Sequence, residues 1–288
     1  MRFLILRLAS AVPVLIGISI VSFYLLQLAP GDFLDLMVVQ NPHLTPQDIA
    51  RLREIYGLDQ PVYVQYFHWV KGILQGDLGY SRVYAQSVSD LIRQRLPNTA
   101  LLVGLSLLLS LGAAIPVGVY SAVRRHSVGD YVATLFSFLG LATPSFWLGI
   151  LLILLFSVKL GWLPAGGHYG LEQGASLWGK VRYLILPCLS LSLMQTAAWT
   201  RYVRSAMLEV LQQDYIRTAV AKGLDMRTVR YRHALRNALL PLVTLVALSF
   251  PTMLGGATVT EQVFAWPGLG RLLYESVMNN DYAVAMAG

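Results

Sequence analysis

The chain has 288 residues, of which 56% are hydrophobic and 13% charged, and it carries a formal net charge of +7. A soluble domain is about 25% charged, so this composition excludes an ordinary soluble fold and points to a membrane protein. A nucleic-acid binder gathers its basic residues on one face; here they lie between apolar runs, so nucleic acid is not an expected partner.

Arg2 and Arg7 precede the first of five apolar runs: Leu8–Gly31, Leu96–Val123, Tyr131–Val158, Tyr183–Thr200 and Asn237–Thr260. Roughly 20 apolar residues cross the hydrocarbon core. Backbone groups in lipid must bond internally, so each run is predicted to be a helix. A cleavable leader is the alternative for the first run. That run is long for a leader, and Gln27-Leu28-Ala29-Pro30 offers no small-residue cleavage site.

Between the first two runs the chain is predicted to form an external helical region, which gives two domains, 1–95 and 96–288. Thr45-Pro46-Gln47-Asp48 is a helix start: Thr caps, Pro takes the first helical position and Asp favours the positive end of the dipole. Ile49, Leu52, Ile55 and Tyr56 recur at helical spacing up to Gly57. A second helix runs from Val62 to about Leu74, and its Tyr63, Tyr66, Phe67 and Trp69 suit the outer membrane–water boundary. These helices either pack on the bundle or form an outer docking surface.

Arg124-Arg125-His126 separates the second and third runs. Arg201, Arg204, Arg217, Lys222, Arg227, Arg230, Arg232 and Arg236 separate the fourth and fifth. The positive-inside rule places these segments and the N-terminus in the cytoplasm. The segment around Glu261, Arg271, Glu275 and Asp281 is balanced or acidic and falls outside. Gly161-Trp162-Leu163-Pro164-Ala165-Gly166-Gly167 predicts a shaped external loop, with Trp162 and Trp178 as interface anchors.

Prolines recur at membrane depth, at 116, 144, 187, 241 and 251, and each can kink its helix. Polar residues there, among them Ser106, Ser110, Ser190 and Ser192, are mostly helix-packing groups. No Asp, Glu, Lys or Arg stands in the middle of a run, whereas ion-coupled carriers need such a group or a cation site. The single Cys188 has no disulfide partner, no Cys/His spacing suggests a metal, and no catalytic constellation is seen. No Gly-x4-Gly-Lys-Ser/Thr loop occurs, so the chain is not expected to hydrolyse ATP.

The basic connection between the fourth and fifth runs is the most organised segment. Apolar or small residues at Met207, Leu208, Leu211, Tyr215, Thr218 and Ala219 extend the fourth helix outward. Asp214 is placed to cap a short helix. Ala219 and Ala221 permit close approach, and Gly223 followed by Leu224 ends the helix. A basic helical run, Met226–Asn237, leads back to the membrane at Pro241. A plain solvated loop near anionic headgroups is the alternative.

Ser205-Ala-Met-Leu-Glu-Val-Leu, Asp214-Tyr-Ile-Arg-Thr-Ala-Val-Ala-Lys-Gly-Leu224 and His233-Ala-Leu-Arg-Asn-Ala-Leu-Leu-Pro241 together resemble the "EAA" loop of permease subunits of binding-protein-dependent ABC importers. The likeness is to the first permease of the dipeptide/oligopeptide/nickel group. Phe264-Ala-Trp-Pro-Gly-Leu-Gly-Arg-Leu-Leu273, Asp281-Tyr282, Ala29-Pro-Gly-Asp32, Tyr56-Gly-Leu-Asp-Gln-Pro61 and Gly76-Asp-Leu-Gly-Tyr-Ser81 carry it over nearly the whole chain. Arg217-Thr218-Ala219 stands where the broader superfamily often has Glu-Ala-Ala, a departure shared by the peptide group.

The resemblance implies an all-α integral membrane protein with the type I ABC importer transmembrane fold. It implies a coupling loop over 204–236, in which Asp214, Tyr215, Arg217, Thr218, Ala219, Lys222, Gly223 and Leu224 engage a cytoplasmic ATPase. Trp266, Pro267, Gly268 and Arg271 would meet an external substrate-binding protein. The implied partners are a second permease, two cytoplasmic ATP-binding subunits, the binding protein and the bilayer of a bacterial or archaeal inner membrane. ATP and Mg would sit on the ATPases, and this chain would hold no cofactor. The cargo expected is peptide; nickel, haem or another small solute, or an ATP-independent secondary carrier, are the alternatives. The family has a sixth span after its Asp-Tyr segment, and this sequence stops at Gly288 where that span would begin. Five apparent spans plus a missing or truncated sixth are therefore expected of a longer natural chain.

Overall fold

The computed structural model describes residues 2–28, 45–55, 59–167 and 177–287. The chain divides into two units, 1–94 with 272–288, and 95–271.

In the first unit, α1 (Arg2–Gln27) is apolar beyond Arg7, yet its membrane window Ala9–Gln27 is only 6% buried. An apolar helix left this open fits a lipid environment. The exception is Phe23, which is buried. Its ring meets Tyr66 and Trp69 of α3 (Val62–Leu74) at centroid distances of 5.4 and 5.9 Å, and Ser19 Oγ and Tyr66 OH share a 2.8 Å hydrogen bond. The aromatic set on α3 therefore splits: Tyr66 and Trp69 pack inward, while Tyr63 and Phe67 stay exposed. Helix α2 (Pro46–Ile55) starts as its sequence predicts. Asp48 N donates to Thr45 Oγ1 at 3.3 Å and Thr45 N to Asp48 Oδ2 at 3.0 Å, a reciprocal capping box. The Thr45 hydroxyl holds the Asp48 carboxyl below its ordinary value. The expected stop at Gly57 lies outside the described residues.

A small hairpin, β1 (Tyr80–Ser81) and β2 (Gln86–Ser87), pairs Tyr80 with Ser87 and Ser81 with Gln86. Strands of two residues are too short for a period-2 pattern, so the sequence gives no sign of them. Buried Ser81 donates through Oγ to Asp281, and Tyr84 OH donates to Glu275 Oε2 at 2.6 Å. These bonds hold Glu275 and Asp281 against the hairpin.

In the second unit the long helix α4 (Val88–Val123) supplies residues from 95 onward. Helix α5 (Val128–Ala142) follows, then α6 (Ser145–Leu152), which continues as a π-helical turn over Ile153–Lys159. The predicted third span is thus not one straight helix: its two halves meet at 107°. Thr143 is extended (ψ 123°) and Pro144 follows at φ −61°. A residue before proline is driven out of the α region, so the ladder stops there. Pro116, Pro187 and Pro251 by contrast remain inside continuous helices.

Helix α7 (Leu177–Val210) is the pillar of this unit. Its membrane window is 44% buried, against 28% for α4 and 17% for α10 (Leu240–Val263). Small residues set the closest approaches. A Cβ on Gly118 of α4 would stand 2.8 Å from Val203 Cβ, and one on Gly140 of α5 would stand 2.7 Å from Ala197 Cβ. Ser110 Oγ donates to Ser192 O at 3.1 Å across the α4–α7 contact, so this buried hydroxyl serves helix packing.

Candidate coupling site

The basic segment that leaves α7 folds into two helical pieces. Gln213 is extended (φ −71°, ψ 148°) and opens α8 (Asp214–Ala221). Asp214 is therefore the first helical residue and not the cap. Its carboxylate instead faces Arg217 at 3.5 Å in an exposed i, i+3 pair. Thr218 Oγ1 turns back to Asp214 O at 2.9 Å, and Tyr215 OH accepts from Asn237 Nδ2 at 2.9 Å.

The stop is as read from the sequence. Gly223 takes φ +78°, Gly223 N donates to Val220 O at 2.9 Å, and Leu224 N donates to Ala219 O at 3.3 Å. This is a Schellman end, which needs a left-handed residue at that position. Asp225 then caps the next helical run, α9, which spans 226–238 and is π-helical from Val229 to Ala234. Its Oδ2 accepts from Arg227 N at 3.1 Å and Thr228 N at 3.4 Å. Asp225→Ala removes this cap, and the loss expected is about 1 kcal/mol of local stability. Faster hydrogen exchange confined to 225–234 would register it; unchanged exchange would show the cap to be dispensable.

One face of α8 belongs to the bundle. Ile216 and Ala219 are buried in the same core as Met207, Val229 and Ala238. Ala219 is therefore small for packing within its own chain, which corrects its expected place on the contacting face. The rest of the helix is open: Tyr215, Val220 and Leu224 are 43%, 45% and 40% exposed, and Asp214, Arg217, Thr218, Lys222 and Gly223 are exposed as well. Beside it lies a mainly apolar cleft of about 500 Å³, lined by Val123, Leu211, Ile216, Val220 and the guanidinium-bearing Arg217 and Arg230.

Two acids missed in the sequence sit at opposite ends of this unit. Asp130, on α5 next to the Arg124–His126 segment, is buried and pairs with Arg204 of α7. Glu261, at the end of α10, is completely buried. It accepts from Thr99 Oγ1 at 2.6 Å and from Arg271 N at 2.9 Å, while Leu269 N donates to Thr99 Oγ1 at 2.7 Å. The carboxyl thus caps the start of α11 (Leu269–Met278). Thr99 and Ser121, the α4 residues at the two sites, are 22 positions apart, about 33 Å along the helix, close to the thickness of a bilayer core. The two basic segments expected in the cytoplasm therefore share one end, and the 264–271 loop lies at the other.

That loop bears on the docking expectation. Trp266 is buried and donates through Nε1 to Asn98 O at 3.2 Å, while Asn98 Nδ2 donates to Pro267 O at 2.8 Å. Gly268 is buried too, and a Cβ there would overlap the Glu261 carboxyl. Burial withdraws the Trp266 and Gly268 side positions as contact surface. Pro267 and Arg271 remain partly exposed, and Arg271 Nη1 holds Ala265 O at 2.8 Å.

Comparison with known proteins supplies the context for this geometry. Residues 114–288 match the family described as "Binding-protein-dependent transport system inner membrane component", and residues 1–103 match the N-terminal domain of such membrane components. The chain is 46% identical to an oligopeptide transport system permease protein, AppB, of Bacillus subtilis (strain 168), over 99% of this chain and 90% of the relative. It is 40% identical to a candidate peptide permease protein of Brucella ovis over the same shares. It is 38% identical to a candidate peptide ABC transporter permease protein of Sinorhizobium fredii, over 98% of this chain and 89% of that relative.

Proposed function

We propose a function from one premise: the chain belongs to the family of inner-membrane components of binding-protein-dependent transport systems. It is a multi-pass membrane permease of the ABC transporter class and not an enzyme. On our reading its cargo is a peptide. The observation that carries this is 46% identity over 99% of the chain to an oligopeptide permease protein.

In the proposed assembly this chain pairs with a second permease in the cytoplasmic membrane and forms half of the translocation path. Two ATP-binding subunits sit at the end that bears α8, and the N-terminus lies on the same side. Hydrolysis of ATP, with its Mg, belongs to those subunits, and this chain holds no cofactor. The open face of α8 is the surface offered to an ATPase. Asp214, Arg217 and Thr218 run along its middle, and the exposed apolar side chains of Tyr215 and Val220 stand on its two edges. Closure of the ATPases would select between two arrangements of the bundle. A peptide-loaded binding protein would meet the opposite end, where Ala265, Pro267 and Arg271 are accessible.

The test is reconstitution of the complex purified through this chain from its native membrane. An ATPase and a second permease are expected to co-purify, and peptide uptake into proteoliposomes is expected only with both ATP and binding protein. Uptake that persists without ATP would replace this reading with a secondary carrier. Uptake of nickel or haem in place of peptide would keep the importer and change its cargo.

A further inference from the structure

The reading above leaves open how a push on α8 reaches the rest of the bundle. Three residues, Leu211, Gln212 and Gln213, separate α8 from α7, and the last turns of α7 extend past the apolar run. A stem of that kind can flex and dissipate a displacement, unless something braces it.

Arg204 is placed to brace it. Its Nε donates to Asp130 Oδ1 at 2.6 Å and its Nη2 to Asp130 Oδ2 at 2.8 Å. Nε also reaches Ser121 Oγ at 3.1 Å, and Ser121 Oγ in turn donates to Asp130. Asp130 Oδ2 accepts from His126 N at 3.0 Å as well. The Asp130 side chain is 3% exposed and that of Arg204 27%. A carboxylate needed only to cap α5 would stop at the His126 bond, since Ser127 Oγ already caps Asp130 N at 3.3 Å. The remaining bonds run to α4 and α7. Two-point Arg–carboxylate pairing fixes orientation as well as distance. Withdrawing Arg204 would leave Asp130 buried and without its cation, an arrangement proteins avoid. One turn away Gly118 brings the α4 backbone against Thr200 and Val203, so the helices cannot slide closer.

We infer that Asp130 and Arg204 are positioning residues: they form a rigid joint that passes displacement of α8 to α4 and α5 as well as to α7. The inference rests on the reading that 214–224 grips an ATPase.

The test uses the reconstituted complex. Asp130→Asn is expected to keep the ATPase bound while lowering peptide transported per ATP hydrolysed about tenfold, within the range for residues that carry coupling between sites. Arg204→Lys keeps the charge but loses the fork, and is expected to fall between that variant and wild type. Unchanged transport per ATP in both variants overturns the joint. A second measurement needs no change at the pair. Spin labels at exposed positions 125 and 209, in a Cys188→Ala background, are expected to keep one separation in the nucleotide-free and ATP-trapped complexes. A separation that changes with ATP, while the ATPase stays bound, overturns the joint alone. Wild type that carries no ATPase overturns the coupling reading and the joint with it.

Discussion

Val220→Lys is expected to strip the ATPase from the complex while the permease itself remains folded. Val220 is 45% exposed on the open face of α8, so the replaced side chain adds little to the core. Lysine is also the better helix former, and the helix itself is not put at risk. In the proposed interface the ammonium would be desolvated beside Arg217 and Arg230, which line the same cleft and share its charge. An uncompensated charge buried at an interface costs about 3–5 kcal/mol, and every 1.4 kcal/mol is tenfold in affinity. The loss expected is therefore at least about a hundredfold in affinity. ATP-driven uptake should disappear with it, while the thermal midpoint of the permease stays at the wild-type value. Retention of the ATPase at its usual stoichiometry would remove the open face of α8 from the coupling surface.

How far the sequence reaches depends on whether a signal is local. Charge-free length is local, and four of the five predicted spans coincide with long apolar helices, including the short run Tyr183–Thr200, which lies in the pillar α7. The stop at Gly223 is local too: a glycine two turns past an acid in a small-residue helix has few other uses. Pro144 announces a break but not its angle, because the 107° bend depends on what α6 packs against as well as on the pre-proline backbone. The paired acids were out of reach. Asp130 and Glu261 stand at the ends of apolar runs and read as loop charges. Their partners lie 74 and 162 positions away, and periodicity pairs nothing at that separation. Ala219 fails differently. Small side chains permit close approach from either direction, and the sequence does not say whether the approaching surface belongs to a partner or to the same chain.

Glu261 carries the largest stability effect expected in the second unit. Its carboxyl is fully buried and takes hydrogen bonds from the Thr99 hydroxyl and the Arg271 amide. Thr99 is thereby oriented to accept from Leu269 N, so two amides at the start of α11, those of Leu269 and Arg271, depend on one side chain. Glu261→Ala leaves the Thr99 hydroxyl and the Arg271 amide facing a dry gap. Each stranded buried group costs about 1–3 kcal/mol, and the void left by the missing carboxyl adds to that. A total of about 3–5 kcal/mol follows, near the top of what single substitutions do. At roughly 2–4 °C per kcal/mol for a chain of this size, the thermal midpoint of the purified permease should fall by about 10 °C. Glu261→Gln keeps one acceptor oxygen but turns an NH₂ towards donors, so it should lie between Ala and wild type. Gly268→Ala reaches the same site from the other side, since its Cβ would overlap the carboxyl and force either the loop or Glu261 to move. The three variants form a series with one cause: the closer each comes to emptying or crowding the carboxyl's place, the more α11 and the 264–271 loop should loosen in hydrogen exchange. A Glu261→Ala protein that melts within about 2 °C of wild type, less than 1 kcal/mol by the same scale, would show that water takes over the acid's bonds, and the loop's shape would then need another account.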